Sequence, residues 1–437
     1  MRPLLLLAAV AALPAAAPDW TRLENEGVAF LQKYIRAQSV NPPANTAAAA
    51  ELVKGLLESH GIQAALYRSG PEGQTNLVAR LAGRDRGKKP LLLLNHLDVV
   101  PVDRAAWKLD PFAGIIRGGQ IWGRGALDMK GLGVQHMMAL IALKESGVTP
   151  PRDIVMLSTA DEETGGERGI LWMLQQHPAA IDAEYVLDEG GFGSREILAP
   201  GKLVFGIPVG EKQTCWLRLR ARGTAAHGSQ PVPDNANLIL LRALEKAMAL
   251  PPVPPHPVIA EMERAIGVPL ARNRYTDAIR ANTVSLTTLQ AGVGTPAKVN
   301  VIPSASEATL DCRLLPGVKA DEFIAATNAR VNDPRVEITR LSRPQDAGIS
   351  DYQTPLFASI RAAILKRHPD AVVTPMLVPH GTDSVTLRAR GVKAYGLTPM
   401  VLDLAVAGSM HSDAERAPVA EIKLGMRIFY DALASGY

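Results

Sequence analysis

Three apolar runs in this chain stop abruptly on ionisable residues, and no other feature restricts the fold as tightly. LLLLNHLD carries His96 and Asp98 behind four leucines, DIVMLSTADEE stops on Asp161, Glu162 and Glu163, and AEYVLDEGG stops on Asp188 and Glu189. IWGRGALDMKG presents Asp128 on a Gly-rich turn, and GSMHSDAE carries His411 near the C-terminus. A continuous apolar run suits a strand covered on both faces. An open α/β sheet builds its ligand site beyond the carboxyl ends of such strands. Converging there, these residues would gather more negative charge than burial tolerates unpaired, so a cation is implied. The expectation is a two-metal hydrolase.

The rest of the chain fits that frame. VAFLQKYI and AAAAELVKGLLESHGI have helical spacing, and KGLGVQHMMALIALKESG reads as a long amphipathic helix carrying His136. Strands alternating with helices predict a doubly wound, mostly parallel sheet. The character changes beyond Gly201. KQTCWLRLRARG, NTVSLTTLQAG and SEATLDCRLLPG alternate like half-exposed strands, and with two helices and RVEITRLS they spell β-α-β-β-α-β, the ferredoxin-like order. At 437 residues two domains are the natural division. The expected arrangement is a catalytic domain over 18–207 and 344–437, interrupted by an inserted α+β lid or dimerisation domain over 208–343.

Residues 1–17 read as a cleavable secretory signal: Arg2, the apolar run Leu4 to Leu13, then Ala15 to Ala17. The run is too short to span a bilayer, no later run is long enough, and the expected location is periplasmic or secreted. Formal charge is +4, falling to +3 without the leader, with no Lys/Arg run or interleaved aromatics. That pattern argues against nucleic acid as a partner. Cys215 and Cys312 lack CxxC spacing and read as buried free thiols, although an exported chain could pair them. Any metal must therefore rest on oxygen and imidazole.

Taken in order, LLLLNHLDVVPV, IWGRGALDMKG, TADEETGG, VLDEGG, ARGTAAHGSQP, NVIPSASEATLDCRLLPG, HGTDS and GSMHSDAERAP resemble the M20 peptidases, the aminoacylase, carboxypeptidase S and glutamate-carboxypeptidase group of dinuclear zinc hydrolases. The resemblance implies that Asp128 bridges two Zn²⁺, with His96 and Glu189 completing one site and Glu163 and His411 the other. Co²⁺ or Mn²⁺ would also suit such donors. It implies Glu162 as general base, taking a proton from the bridging water and passing it to the leaving amine. Asp98 would orient His96. His227 would stabilise the oxyanion, often from a partner subunit of a homodimer, while Asn300, Arg313, Gly381 and Thr382 would hold the substrate carbonyl and carboxylate. A cis peptide between Asp128 and Met129 is implied as well. Asp188 stays open as an alternative to Glu189, since adjacent strand residues face opposite ways.

Each motif alone has an ordinary reading: HxD as a turn or surface pair, DEE as a solvated helix start, LDEGG as a strand-to-turn junction. His380 could touch substrate, whereas His60, His177, His256 and His368 read as surface positions. No GxSxG elbow or GxGxxG fingerprint occurs, and GRDRGKK lacks phosphate-loop spacing. Two enzymatic readings remain: an exopeptidase of carboxypeptidase or dipeptidase type, and an aminoacylase-like amidohydrolase acting on N-acyl amino acids. A non-catalytic peptide-binding relative is the reading from another class.

Overall fold

The central sheet is built from the runs that end on charge. In the computed structural model, which describes residues 16–343 and 345–437, it has six strands in the order Ala64–Arg68, Thr75–Leu81, Ile154–Thr159, Leu91–His96, Tyr185–Asp188 and Lys393–Gly396. Residues 1–15 of the expected leader lie outside the described residues. The last four strands run parallel, and the first two pair antiparallel at one edge. The α/β expectation therefore holds, with a mostly parallel sheet that carries its antiparallel pairs at one edge. Leu91 to Leu94 are buried on both faces. Burial of that kind stabilises by about 1.5–3 kcal/mol per side chain, so the run is fixed as a central strand.

Register then positions the chemistry. His96 lies level with Thr159, and Leu93 with Leu187, so the ends of three parallel strands open on one edge of the sheet. The helix Lys130–Ser146 crosses one face, packed by Trp20–Arg36 and Val419–Ala434. It is buried nearly all round rather than amphipathic, because three layers of chain cover it. Gly147, at φ 71°, ends it in a left-handed turn.

A second core forms on a four-stranded antiparallel sheet, Thr283–Gln290, Ala305–Leu314, Gln213–Arg222 and Val336–Arg340 in spatial order. Helices Ala236–Met248 and Ala320–Val331 pack against it. The alternating burial of Gln213–Arg222 and Ala305–Leu314 follows their alternating sequence. Thr283–Gln290 departs from that expectation: it is an edge strand exposed on both faces, with an irregular step between Leu286 and Thr288. Cys215 and Cys312 stand opposite each other in this sheet as buried free thiols.

Helices Pro257–Ile266 and Arg274–Arg280 lie between these strands in sequence but pack into the first core, through Val258, Met262, Ile266 and Ile279. Their apolar spacing resembles that of the neighbouring helices, which hides the switch of partner. Among the described residues no helix is long and apolar enough to cross a membrane.

Candidate metal centre

Asp128 sits at the centre of the site. Its Oδ1 lies 3.0 Å from His96 Nε2 and its Oδ2 3.0 Å from His411 Nε2, so one carboxylate reaches two imidazoles. Glu163 Oε1 is 3.3 Å from His411 Nε2, and Glu189 Oε1 is 3.9 Å from His96 Nε2. Donor atoms of His96, Asp128 and Glu163 fall within 4.8 Å of one another, as do those of His96, Glu162 and Glu189. The peptide Asp128–Met129 is cis, as the resemblance implied.

Each donor arrives from a strand end or turn. His96 closes its strand and Glu189 follows the last residue of another. Glu162 and Glu163 open a single 3₁₀ turn behind Thr159. His411 occupies the left-handed region at φ 60°, costly for a residue with a Cβ. Its carbonyl accepts from Arg124 Nη2 at 3.2 Å, which helps hold that conformation.

Asp98 stands beside His96 and also serves a second part of the site. His96 Nδ1 donates to the main-chain oxygen of Asp98 at 2.9 Å, and the Asp98 carboxylate stands 3.5 Å away. That carboxylate also accepts from the amides of Glu162 and Glu163, both at 3.2 Å, and from Asn41 Nδ2 at 2.7 Å. It therefore fixes the turn that carries the two glutamates. Asp188 turns away, accepting from the amide and hydroxyl of Ser384 at 3.1 and 2.7 Å, and leaves Glu189 among the donors.

The electrostatics fit a divalent cation. Among the described residues no lysine or arginine pairs with Asp128, Glu162, Glu163 or Glu189. Burial pushes Glu162 and Glu189 well above the usual carboxylate range, with neighbouring carboxylates adding to it. Burial alone would lower His96, but its bonds to Asp128 and Asp98 carry it well above the usual imidazole range. The Asp128 bond lifts His411 to about 10. Carboxylates gathered this closely with no cationic side chain among them carry the kind of charge that divalent cations neutralise. Two imidazoles and three or four carboxylates suit Zn²⁺.

The residues expected on the inserted domain lie apart from this cluster. His227 is exposed, its Nδ1 2.7 Å from Ser229 Oγ and its Nε2 3.4 Å from Asn300 Nδ2. Arg313 gives its fork to Asp311 at 2.7 and 3.1 Å and its Nη1 to Thr214 at 2.8 Å. His380, Gly381 and Thr382 follow the strand Val372–Val378. Burial lowers the His380 imidazole, and the charges of Glu211, Asp128 and Arg313 also reach it. His60 is half-buried rather than a plain surface position, held between Glu26 and Glu145 at 2.9 and 2.7 Å.

Sequence reasoning passed over Glu415 and Arg124. Glu415 Oε1 accepts from the amides of Leu127 and Asp128 at 3.0 and 3.2 Å, and Oε2 accepts from Arg124 Nη1. Burial lifts this carboxyl to about 7 against the pull of Arg124. Both residues lie inside motifs already singled out, four residues from His411 and from Asp128 respectively, which was the available signal.

Residues 92–435, which include all of the clustered donors, match peptidase family M20/M25/M40. Over 385 residues the chain is 28% identical to "probable carboxypeptidase S-like 2" of Dictyostelium discoideum, covering 81% of this chain and 73% of that protein. It is 28% identical over 418 residues to aminoacylase-1 of Sus scrofa, covering 94% and 95%. The fold is similar to that of the M20 family metallo-carboxypeptidase Sso-CP2 from Sulfolobus solfataricus, with a TM-score of 0.73 at 17% identity over 94% of this chain and 98% of that one.

Proposed function

We propose that this chain, which belongs to peptidase family M20/M25/M40, is a zinc-dependent exopeptidase that hydrolyses the amide bond next to a free carboxylate. The observation that carries the reading is Asp128, whose two oxygens each meet a different imidazole, with Glu189 on one side and Glu163 on the other. His96, Asp128 and Glu189 would hold one ion, and Asp128, Glu163 and His411 the second. Bound there, the ions supply Lewis acidity toward the scissile carbonyl and toward water.

The chain's own residues do the rest. Glu162, grouped with His96 and Glu189, takes the proton of the attacking water on a carboxylate oxygen and delivers it to the leaving nitrogen. Closure of the unit built on the four-stranded sheet would bring His227 to the developing oxyanion, with Asn300 and Arg313 on the substrate. Gly381 and Thr382 would line the carboxylate end. Arg313 would have to exchange Asp311 for substrate as it closes.

An aminoacylase-like action on N-acyl amino acids is the second reading, favoured by the similarity to the Sus scrofa aminoacylase-1 over nearly the whole of both chains. We further read 1–17 as an export signal, placing the mature protein in the periplasm or outside the cell. The exposed edge Thr283–Gln290, with Leu286 and Leu289 turned outward, favours a homodimer.

The test is release of free amino acid from a panel of dipeptides and N-acyl amino acids, by protein stripped with chelator and then supplied with Zn²⁺. Zn²⁺-restored turnover on dipeptides supports the exopeptidase, and turnover confined to N-acyl substrates shifts the reading to the aminoacylase. No turnover and no bound metal would refute both in favour of a non-catalytic peptide-binding relative. N-terminal sequencing of exported protein and light scattering decide the leader and the dimer.

A further inference from the structure

Two adjacent residues at the passage between the cores serve opposite sides. Glu211 is the last residue of the strand Val204–Glu211 in the first core, and Gln213 opens a strand of the second. Glu211 is buried, and three donors converge on its carboxylate. Oε2 accepts from the amide of Thr382 at 2.7 Å, and Oε1 from the Thr382 hydroxyl at 3.1 Å and from Arg388 Nη1 at 2.9 Å. Arg388 is anchored in turn on Ser350 Oγ and on the carbonyl of Ala394.

Lys212, pointing the other way, is fully buried. Its amide donates to the carbonyl of Val378, just before the loop 379–384. Its ammonium donates to the carbonyls of Ala278 and Ala281 and to Thr283 Oγ1, each at 2.8 Å. Those residues form another passage, from the helix Arg274–Arg280 on the first core to the edge strand of the second. All three ammonium donors are used, a geometry that a compact charged head can satisfy completely.

We propose that Glu211 is a positioning residue for the loop His380–Thr382, and that Lys212 couples that loop to the passage carrying the second sheet. The role given to the loop rests on the reading that it receives the substrate carboxylate. The coupling itself is a property of the chain and can be tested without turnover. Three donors on two carboxylate oxygens leave no room for an amide, because Gln would turn an NH₂ toward either Thr382 or Arg388.

Hydrogen exchange read by mass spectrometry on the metal-loaded full chain separates this from a general structural role. In Glu211→Gln, exchange over 379–384 should quicken about tenfold or more, with the strand Leu91–His96 unchanged. Thr283→Val removes one acceptor of Lys212 without touching the loop, and should quicken the same segment by about threefold. Unchanged exchange over 379–384 in Glu211→Gln, or equal quickening in both segments, overturns the positioning role. An unaffected loop in Thr283→Val overturns the coupling. On a substrate with a free carboxylate, Glu211→Gln should raise KM about tenfold with kcat within about threefold. A carboxamide analogue should show no such change, and equal losses on both would overturn the role. If the wild-type protein turns over neither class, the functional reading falls and the exchange result still decides the coupling.

Discussion

The carboxylate of Glu415 holds the backbone of Asp128: one oxygen accepts from the amides of Leu127 and Asp128, and the other meets Arg124. Arg124 also donates to the carbonyl of His411, so a single buried ion pair sets the placement of the central carboxylate and of the imidazole on its far side. Neither Glu415 nor Arg124 is a donor to the centre. Supports of this kind are commonly worth 10–100-fold in metal affinity. Glu415→Ala should therefore weaken zinc binding by about that factor while leaving far-ultraviolet circular dichroism native. Glu415→Gln, which keeps one acceptor for the two amides, should lose less. Competition titration against a chelating dye reads both, and equal zinc affinity in all three proteins would remove the strut from the account.

Glu162 and Asp128 should separate chemistry from metal. Glu162→Gln keeps size and position but cannot take a proton. Turnover should fall by at least the ~10²–10⁴-fold ascribed to a general base, with two metals per chain retained by elemental analysis. Asp128→Ala removes the group reached by both imidazoles, so metal and activity should disappear together. Native-like turnover in Glu162→Gln would transfer the base role to another residue, and Glu163 would be examined next.

His227 lies beside Asn300 on a short two-stranded ladder, Ala226–His227 with Val301–Ile302, rather than against the acidic cluster, so its part depends on closure. A lost oxyanion donor costs roughly 10²–10³ in kcat. His227→Ala should show a fall of that order with metal content unchanged, because no clustered donor touches it. A kcat equal to wild type would refute the oxyanion role and leave His227 a surface residue bonded to Ser229.

How far the site was legible follows from what each residue leans on. His96, Glu163 and Glu189 end or follow apolar runs, and parallel strands must deliver such ends to one edge, so their meeting was readable. Alternation alone sends one of the neighbours Asp188 and Glu189 each way without saying which, so the preference for Glu189 rested on the resemblance and not on the pattern. Ser384, nearly two hundred residues later, takes Asp188 out of contention. Glu211 and Glu415 were invisible for a related reason: their partners lie far along the chain, and several of them are backbone amides, which every residue carries. The burial of Lys130–Ser146 was misread because its exposure depends on three distant elements, and the first core claims Pro257–Ile266 through packing that no local pattern records.

His136 gives the acid limb of stability a specific cause. It sits in that buried helix, its ring edge-on to Phe429 at 4.6 Å, with only a long 3.5 Å contact from Asn95 and no partner for Nε2. Burial lowers its pKa from 6.5 to about 3, so the folded protein keeps the ring neutral. Above about 6.5 neither state carries the proton and stability is at its full value. Between about 6.5 and 3 the unfolded chain binds a proton that the folded one refuses, so stability falls as the pH falls. The slope is about 1.4 kcal/mol per pH unit. His136→Leu removes the titrating group and fills similar apolar space, so urea unfolding between pH 4 and pH 6 should lose about that much slope while stability at pH 8 changes little. Release of metal by acid affects both proteins alike, which makes the difference between their slopes the quantity to measure. Parallel slopes would mean that His136 is protonated in the folded state and that acid sensitivity arises elsewhere.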